Sequence, residues 1–281
     1  MKYYFFAFFL FLGQHIHAQH NDRQAGLYNV ISSGIIGGIG AIINKKPEQK
    51  TGKVFLKGVY QGAIGGYIVF ESKRVLREFS RTNDYGYIWP SKILNTVGNS
   101  IIMNAASNRD LWERWYINIG FNHLEYDFKR AKKLRYKALP FALIGGCIGF
   151  IKGSLDIKRS FASGFFIFKE KYSSQNYEGL AIVNSILYVA PSNEDLSGII
   201  AHEIIHSFQY EQNFSLNAYL DKPISKLEKR NNSFNTYNKI FYTDFNHLFD
   251  LGLQGIEWLL HLDYNDRFYE KEAFYYQEYK P

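Results

Sequence analysis

Three stretches of this chain carry no charge and are threaded with glycine: 25–43 (AGLYNVISSGIIGGIGAII), 58–70 (GVYQGAIGGYIVF) and 138–151 (ALPFALIGGCIGFI). Gly34/Gly38, Gly58/Gly62/Gly66 and Gly145/Gly149/Gly153 keep small-xxx-small spacing. On a helix that spacing lines glycines along one side and lets a second backbone approach closely. A glycine weakens an isolated helix in water by about 1 kcal/mol, so these segments need packing partners. The first two predict a tightly packed helical hairpin. The first also reaches the length of a membrane span, but Asn29, Ser32 and Ser33 lower its hydrophobicity. The second is too short to span, and Glu71, Lys73 and Arg74 follow at once.

From Trp115 the period changes to two. WYINIGFNHLEYDF, KLRYKALPFALI and GFFIFK alternate as strands do, with Gly153, Gly164 and a Lys-rich stretch supplying turns. These segments predict the antiparallel part of a sheet. The run 180–190, LAIVNSILYVA, is rich in β-branched and apolar residues and is expected to join that sheet as one largely buried strand. Pro191, Ser192 and Asn193 break it. Asp195 or Ser197 then caps a helix whose apolar stripe is Leu196, Ile199, Ile200, Ile204 and Phe208. Residues 213–238 are polar and Asn-rich and read as a loop, whereas 239–262 and 265–279 read as helices. The expected fold class is α+β, divided into 1–18, a glycine-rich helical region at 19–114, and a mixed region at 115–281.

Composition adds a substantial core: 46% of the 281 residues are hydrophobic and 18% aromatic, which excludes a disordered chain. The start, MKYYFFAFFLFLGQHIHAQ, has one Lys, a short apolar stretch and Ile16-His17-Ala18 as a small-residue cleavage site. It reads as a signal peptide over 1–18, which predicts export to the periplasm, the outer membrane or the medium. His15 and His17 are therefore left out of metal reasoning. Cys147 is the only cysteine, so no intramolecular disulfide forms. The net charge of +7 is moderate. Its densest cluster, Lys129–Lys137, reads as a solvated turn between strands, with an anionic membrane surface as the other partner it suits. No nucleic-acid motif accompanies it.

The candidate chemistry lies at His202-Glu203-Ile204-Ile205-His206, which fits H-E-x-x-H. On a helix, His202 and His206 stand one turn apart on one face, so two imidazole nitrogens can reach a single tetrahedral ion. Glu203 lies about 100° round the helix, where it can address a water without competing for the metal. A strand, a turn and a helix bearing this motif resemble the zincin metallopeptidases. No His follows in the metzincin pattern, since positions 209 and 212 are both Gln. The remaining source of a third ligand is a Glu on a second helix.

The segment Arg267–Phe274 resembles the E-x-x-A-D ligand helix of the gluzincins. That resemblance implies that Glu270 joins His202 and His206 in holding Zn2+, with Glu203 as the catalytic residue. Phe274 stands where that family has Asp. A thermolysin-like alignment chooses Glu272 instead, with Tyr276 at the Asp position. The two carboxylates lie roughly 200° apart on a helix, so only one faces the metal. The aromatic neighbours favour burial of the Glu272 face, and the family pattern favours Glu270. His247, His261, Tyr275, Tyr276 and Tyr279 are further candidates for transition-state stabilisation, each with packing as the plainer role. The implied function is an exported zinc peptidase acting on a peptide or protein. The alternative is a membrane-associated envelope protein with a structural or vestigial zinc site.

Overall fold

The computed structural model describes residues 21–171, 177–189, 196–260, 263–264 and 267–278. The expected signal peptide at 1–18 lies outside them, as do Asp195, His261 and Tyr279.

The glycine-rich N-terminal half forms long packed helices. Helix α1 (Asp22–Ile43) starts on Asn21, whose side chain accepts the Gln24 amide, and α2 (Thr51–Thr82) returns alongside it. The small residues sit at the seam. A Cβ added to Gly37 would lie 2.5 Å from the Gly58 carbonyl, and one on Gly66 would lie 2.2 Å from that of Asn29. The other side of α2 meets α3 (Ile88–Ala106), where Gly65 faces the Gly98 carbonyl at 2.6 Å on the same test. The expected helical hairpin is therefore present, with a third helix closing on it. Helix α1 is long and apolar enough to cross a membrane by length and composition, although 39% of its most apolar window is buried against the protein.

Two sheets form where one was expected. β1 (Arg114–Ile119), β2 (Asn122–Asp127) and β3 (Leu134–Ala138) make an antiparallel meander, and the Lys-rich stretch is the turn between β2 and β3. The alternation read through residue 144 stops at Ala138. Pro140 opens helix α4 (Pro140–Lys152), because a proline lacks only an N–H that the first helical turn leaves unpaired anyway. A short strand β4 (Gly153–Leu155), helix α5 (Ile157–Ser163) and strand β5 (Phe166–Glu170) follow.

The run expected as one strand at 180–190 is a hairpin, β6 (Gly179–Ile182) and β7 (Ser185–Tyr188). Its turn is Val183-Asn184. Val183 sits at φ 58°, and the Asn184 side chain anchors the turn by donating to the Gly120 carbonyl at 3.1 Å. A β-branched residue disfavours that conformation, which is why the sequence hides the turn. The second sheet runs β4-β5-β7-β6, with β5 and β7 parallel and the other neighbours antiparallel.

Helix α6 (Leu196–Asn213) follows and is the core helix of the protein. From Ser197 to Gln212 every residue but His206 is buried. Ser197 is inside the helix rather than capping it, and its hydroxyl donates to the Ser80 carbonyl. The expected loop at 213–238 is largely helical: a 3-10 segment (Phe214–Leu220), α7 (Asp221–Arg230) and α8 (Asn232–Ile240). Its polarity reflects exposure, since α7 and α8 bury no residue. Helices α9 (Asn246–Leu260) and α10 (Phe268–Glu278) complete the chain.

One hydrophobic core joins the two halves. Phe70, Leu76 and Phe79 of α2 pack in the same cluster as Ile199, Ile200, Ile204 and Phe208 of α6, and Ala273 and Tyr276 of α10. The molecule is mixed α and β, mostly helical with two small sheets.

Candidate functional site

The face of α6 that carries His202 and His206 meets α10. His202 Nε2 and His206 Nε2 lie 3.1 Å apart. Glu270 Oε2 is 3.2 Å from the first and 3.4 Å from the second. The three groups offer one ligand atom each within 4.8 Å of one another, and form the one such group among the described residues.

The Nδ1 side of each ring decides what the Nε2 atoms are. His206 Nδ1 is 2.8 Å from Gln209 Oε1. The Gln209 amide cannot be turned round, because its nitrogen donates to the Tyr269 carbonyl and to Glu272 Oε2, both at 2.9 Å. Its oxygen therefore faces His206, and His206 Nδ1 must carry the proton. His202 Nδ1 lies 2.8 Å from Gln277 Oε1 and, with that oxygen as its acceptor, is the protonated nitrogen of its ring as well. Two imidazole lone pairs and a carboxylate oxygen then converge on one point. Three acceptors facing each other repel unless a cation stands between them. This donor set, two imidazoles and one carboxylate, suits zinc.

In the ion-free arrangement a proton serves as that cation. Burial opposes charge on His206, but the bond to Glu270 and the field of Glu203 outweigh it and push the imidazole up to about 9. Burial also works against the Glu270 carboxylate, yet its bonds from His202 and His206 hold the carboxyl well below the usual range.

Glu203 packs against β6. The Ala181 amide lies on the side of its carboxylate and favours the charged form, and a Cβ on Gly179 would lie 2.5 Å from Glu203 Oε1. Only a glycine lets the strand come this close. Burial pushes the Glu203 carboxyl up, against the pull of His206 and His202. β6 is the outer strand of its sheet, so its far edge runs beside this carboxylate.

The two acidic candidates face opposite ways. Glu270 faces the imidazoles, and Glu272 turns into the interior, where its Oε1 pairs with Lys73 Nζ at 2.7 Å. Phe274, at the position of the family's Asp, packs edge-on against the His202 ring with centroids 4.7 Å apart. Gln277, one turn further on, is the residue that meets His202 Nδ1. Gln209, Gln277 and Lys73 escaped sequence reasoning. Their signal was spacing: Gln209 stands one turn after His206, and Gln277 two turns after Glu270. Tyr264 also escaped it, and its hydroxyl adds to the pull that favours the Glu270 carboxylate.

The other candidates take packing roles. His247 stacks on Phe141 at 4.2 Å, Tyr276 is part of the core, and the Tyr275 hydroxyl donates to Asp22 at 2.6 Å. No protein-family model matches this chain, and neither does a curated protein or a solved structure.

Proposed function

We propose that this chain is an exported zinc-dependent peptidase of gluzincin type. His202, His206 and Glu270 would hold the ion, and Glu203 would serve as general base and acid. The observation that carries this is the convergence of three acceptor atoms within 4.8 Å, with a buried carboxylate beside them that is not a member of the set. A helix with the motif, a second helix with the third ligand and a mixed sheet alongside also suit a zincin-like fold.

Zinc bound there supplies Lewis acidity, lowering the pKa of water towards neutrality and polarising a carbonyl. Glu203 takes the proton that the attacking water gives up and returns it to the departing amine. Its raised pKa suits both halves of that task, because a base works best with a pKa near the operating pH. An extended peptide would add to the outer edge of β6 as a further strand, and peptide or protein is the substrate this reading requires.

Metal binding is the first test. The purified chain should hold one zinc, and His206→Ala should lose it. Chelation should lower the melting temperature of the loaded protein, since an ion at about 100 times its Kd stabilises by roughly 2.7 kcal/mol. The apparent zinc affinity should weaken as pH falls below about 9, because zinc must displace the His206 proton. A wild-type chain that binds no zinc in calorimetry or elemental analysis would sink the reading.

Helix α9 favours a second reading, a membrane-associated envelope protein. It is turned inside out: Asn246 and Asp250 are buried, while Leu248, Phe249, Leu251, Trp258, Leu259 and Leu260 are exposed. Under this reading the protein floats with anionic vesicles and Leu251→Asp/Trp258→Asp abolishes flotation. Recovery of the wild type in the soluble fraction after flotation removes it.

A further inference from the structure

Lys73 lies on α2, in the glycine-rich half that the H-E-x-x-H motif does not involve, and it is fully buried. Its ammonium has three hydrogens and three acceptors on three helices. These are Asn29 Oδ1 of α1 at 3.2 Å, Gln212 Oε1 of α6 at 3.3 Å, and Glu272 Oε1 of α10 at 2.7 Å. The other oxygen of Glu272 accepts from Gln209, and Gln209 accepts from His206 Nδ1. The path from Lys73 to the candidate ligand is thus continuous and has one direction. A carboxylate paired with an ammonium accepts only, so it demands the nitrogen of Gln209. That leaves only the oxygen of Gln209 for His206.

Resting on the zinc-site reading, we propose that Lys73 is a positioning residue for the metal. Through Glu272 and Gln209 it holds His206 in the tautomer whose Nε2 lone pair faces His202 and Glu270. The glycine seam serves the same end. The close approach of α1 and α2 brings Asn29 to Lys73, so the N-terminal hairpin is part of the site. Partners of this kind fix the orientation and tautomer of a metal-binding histidine, and their loss typically weakens metal affinity 10–100-fold.

Arg77 provides the matched control. It stands one turn along the same helix and is buried, and its guanidinium pairs with Asp22 at 2.8 Å and bonds Tyr275, neither of which bonds a ligand. A merely structural role predicts that Lys73→Met and Arg77→Met behave alike. The proposal predicts that both lower the melting temperature but only Lys73→Met weakens zinc binding, by 10–100-fold in competition with a chromophoric chelator. Glu272→Gln, isosteric and uncharged, tests the same path if Lys73→Met does not fold, and should also weaken zinc 10–100-fold.

The native protein gives an independent measurement. Imidazole nitrogen–proton correlation spectra of the zinc-loaded wild type should show His206 protonated at Nδ1 and bound through Nε2. Zinc affinity within twofold of wild type in folded Lys73→Met or Glu272→Gln overturns the proposal, as does zinc on His206 Nδ1. If the wild type binds zinc and these variants bind it equally well, only the relay fails. If the wild type binds none, the zinc-site reading fails and the relay with it.

Discussion

Glu203→Gln should abolish peptide hydrolysis while leaving one zinc per chain. The substitution keeps the shape of the side chain that packs against Gly179, so β6 and α6 should hold their places. What is lost is the proton acceptor. General acid–base catalysis contributes roughly 10²- to 10⁴-fold, and kcat should fall by that factor with little change in KM. The measurement is steady-state cleavage of a fluorogenic peptide library beside zinc analysis of the same preparation. A variant that keeps more than about a tenth of wild-type kcat has another base. Wild-type zinc content with no wild-type activity on any peptide would shift weight to the structural or vestigial site of the envelope reading.

Filling the helix seam should lower the stability of the protein. In Gly66→Val the first added carbon alone would lie 2.2 Å from the Asn29 carbonyl, which is backbone and has no rotamer to escape into. Overpacking of this kind costs about 1–3 kcal/mol and sometimes more. The variant should melt several degrees lower and bind zinc more weakly, since Asn29 is also an acceptor for Lys73. Gly255→Ala in α9 is the opposite case. Nothing lies within 4 Å of its added carbon, and alanine is favoured over glycine inside a helix by about 1 kcal/mol. It should melt at or above wild type. Equal melting of Gly66→Val and wild type would mean that the hairpin is not held by close backbone approach.

Elements with a strong repeating pattern were legible. Small-xxx-small spacing marked α1 and α2 because the small residues it names are buried at their seam, and the apolar stripe from Ile199 to Phe208 marked α6, a helix buried on nearly every side. Patterns broken by context were not. Val183 turns the chain where valine is a poor turn residue, so one strand was expected where a hairpin stands. The Asn-rich stretch after α6 looked like a loop because α7 and α8 keep their polar faces in water and bury nothing.

The same division runs through the site. Spacing alone put His202 and His206 on one face and Glu203 beside it, because a helix places residues four apart one above the other. Sequence alone left Glu270 and Glu272 both open, since a helix carries both and local geometry cannot say which face turns inward. Tertiary structure decided it. Lys73, buried on a helix nearly two hundred residues away, needs a carboxylate, and Glu272 supplies it at 2.7 Å. With that face of α10 turned into the core, Glu270 is left towards the histidines. Local spacing is a property of the helix itself. Which carboxylate faces the histidines came from satisfying a buried charge, which only the assembled fold could impose.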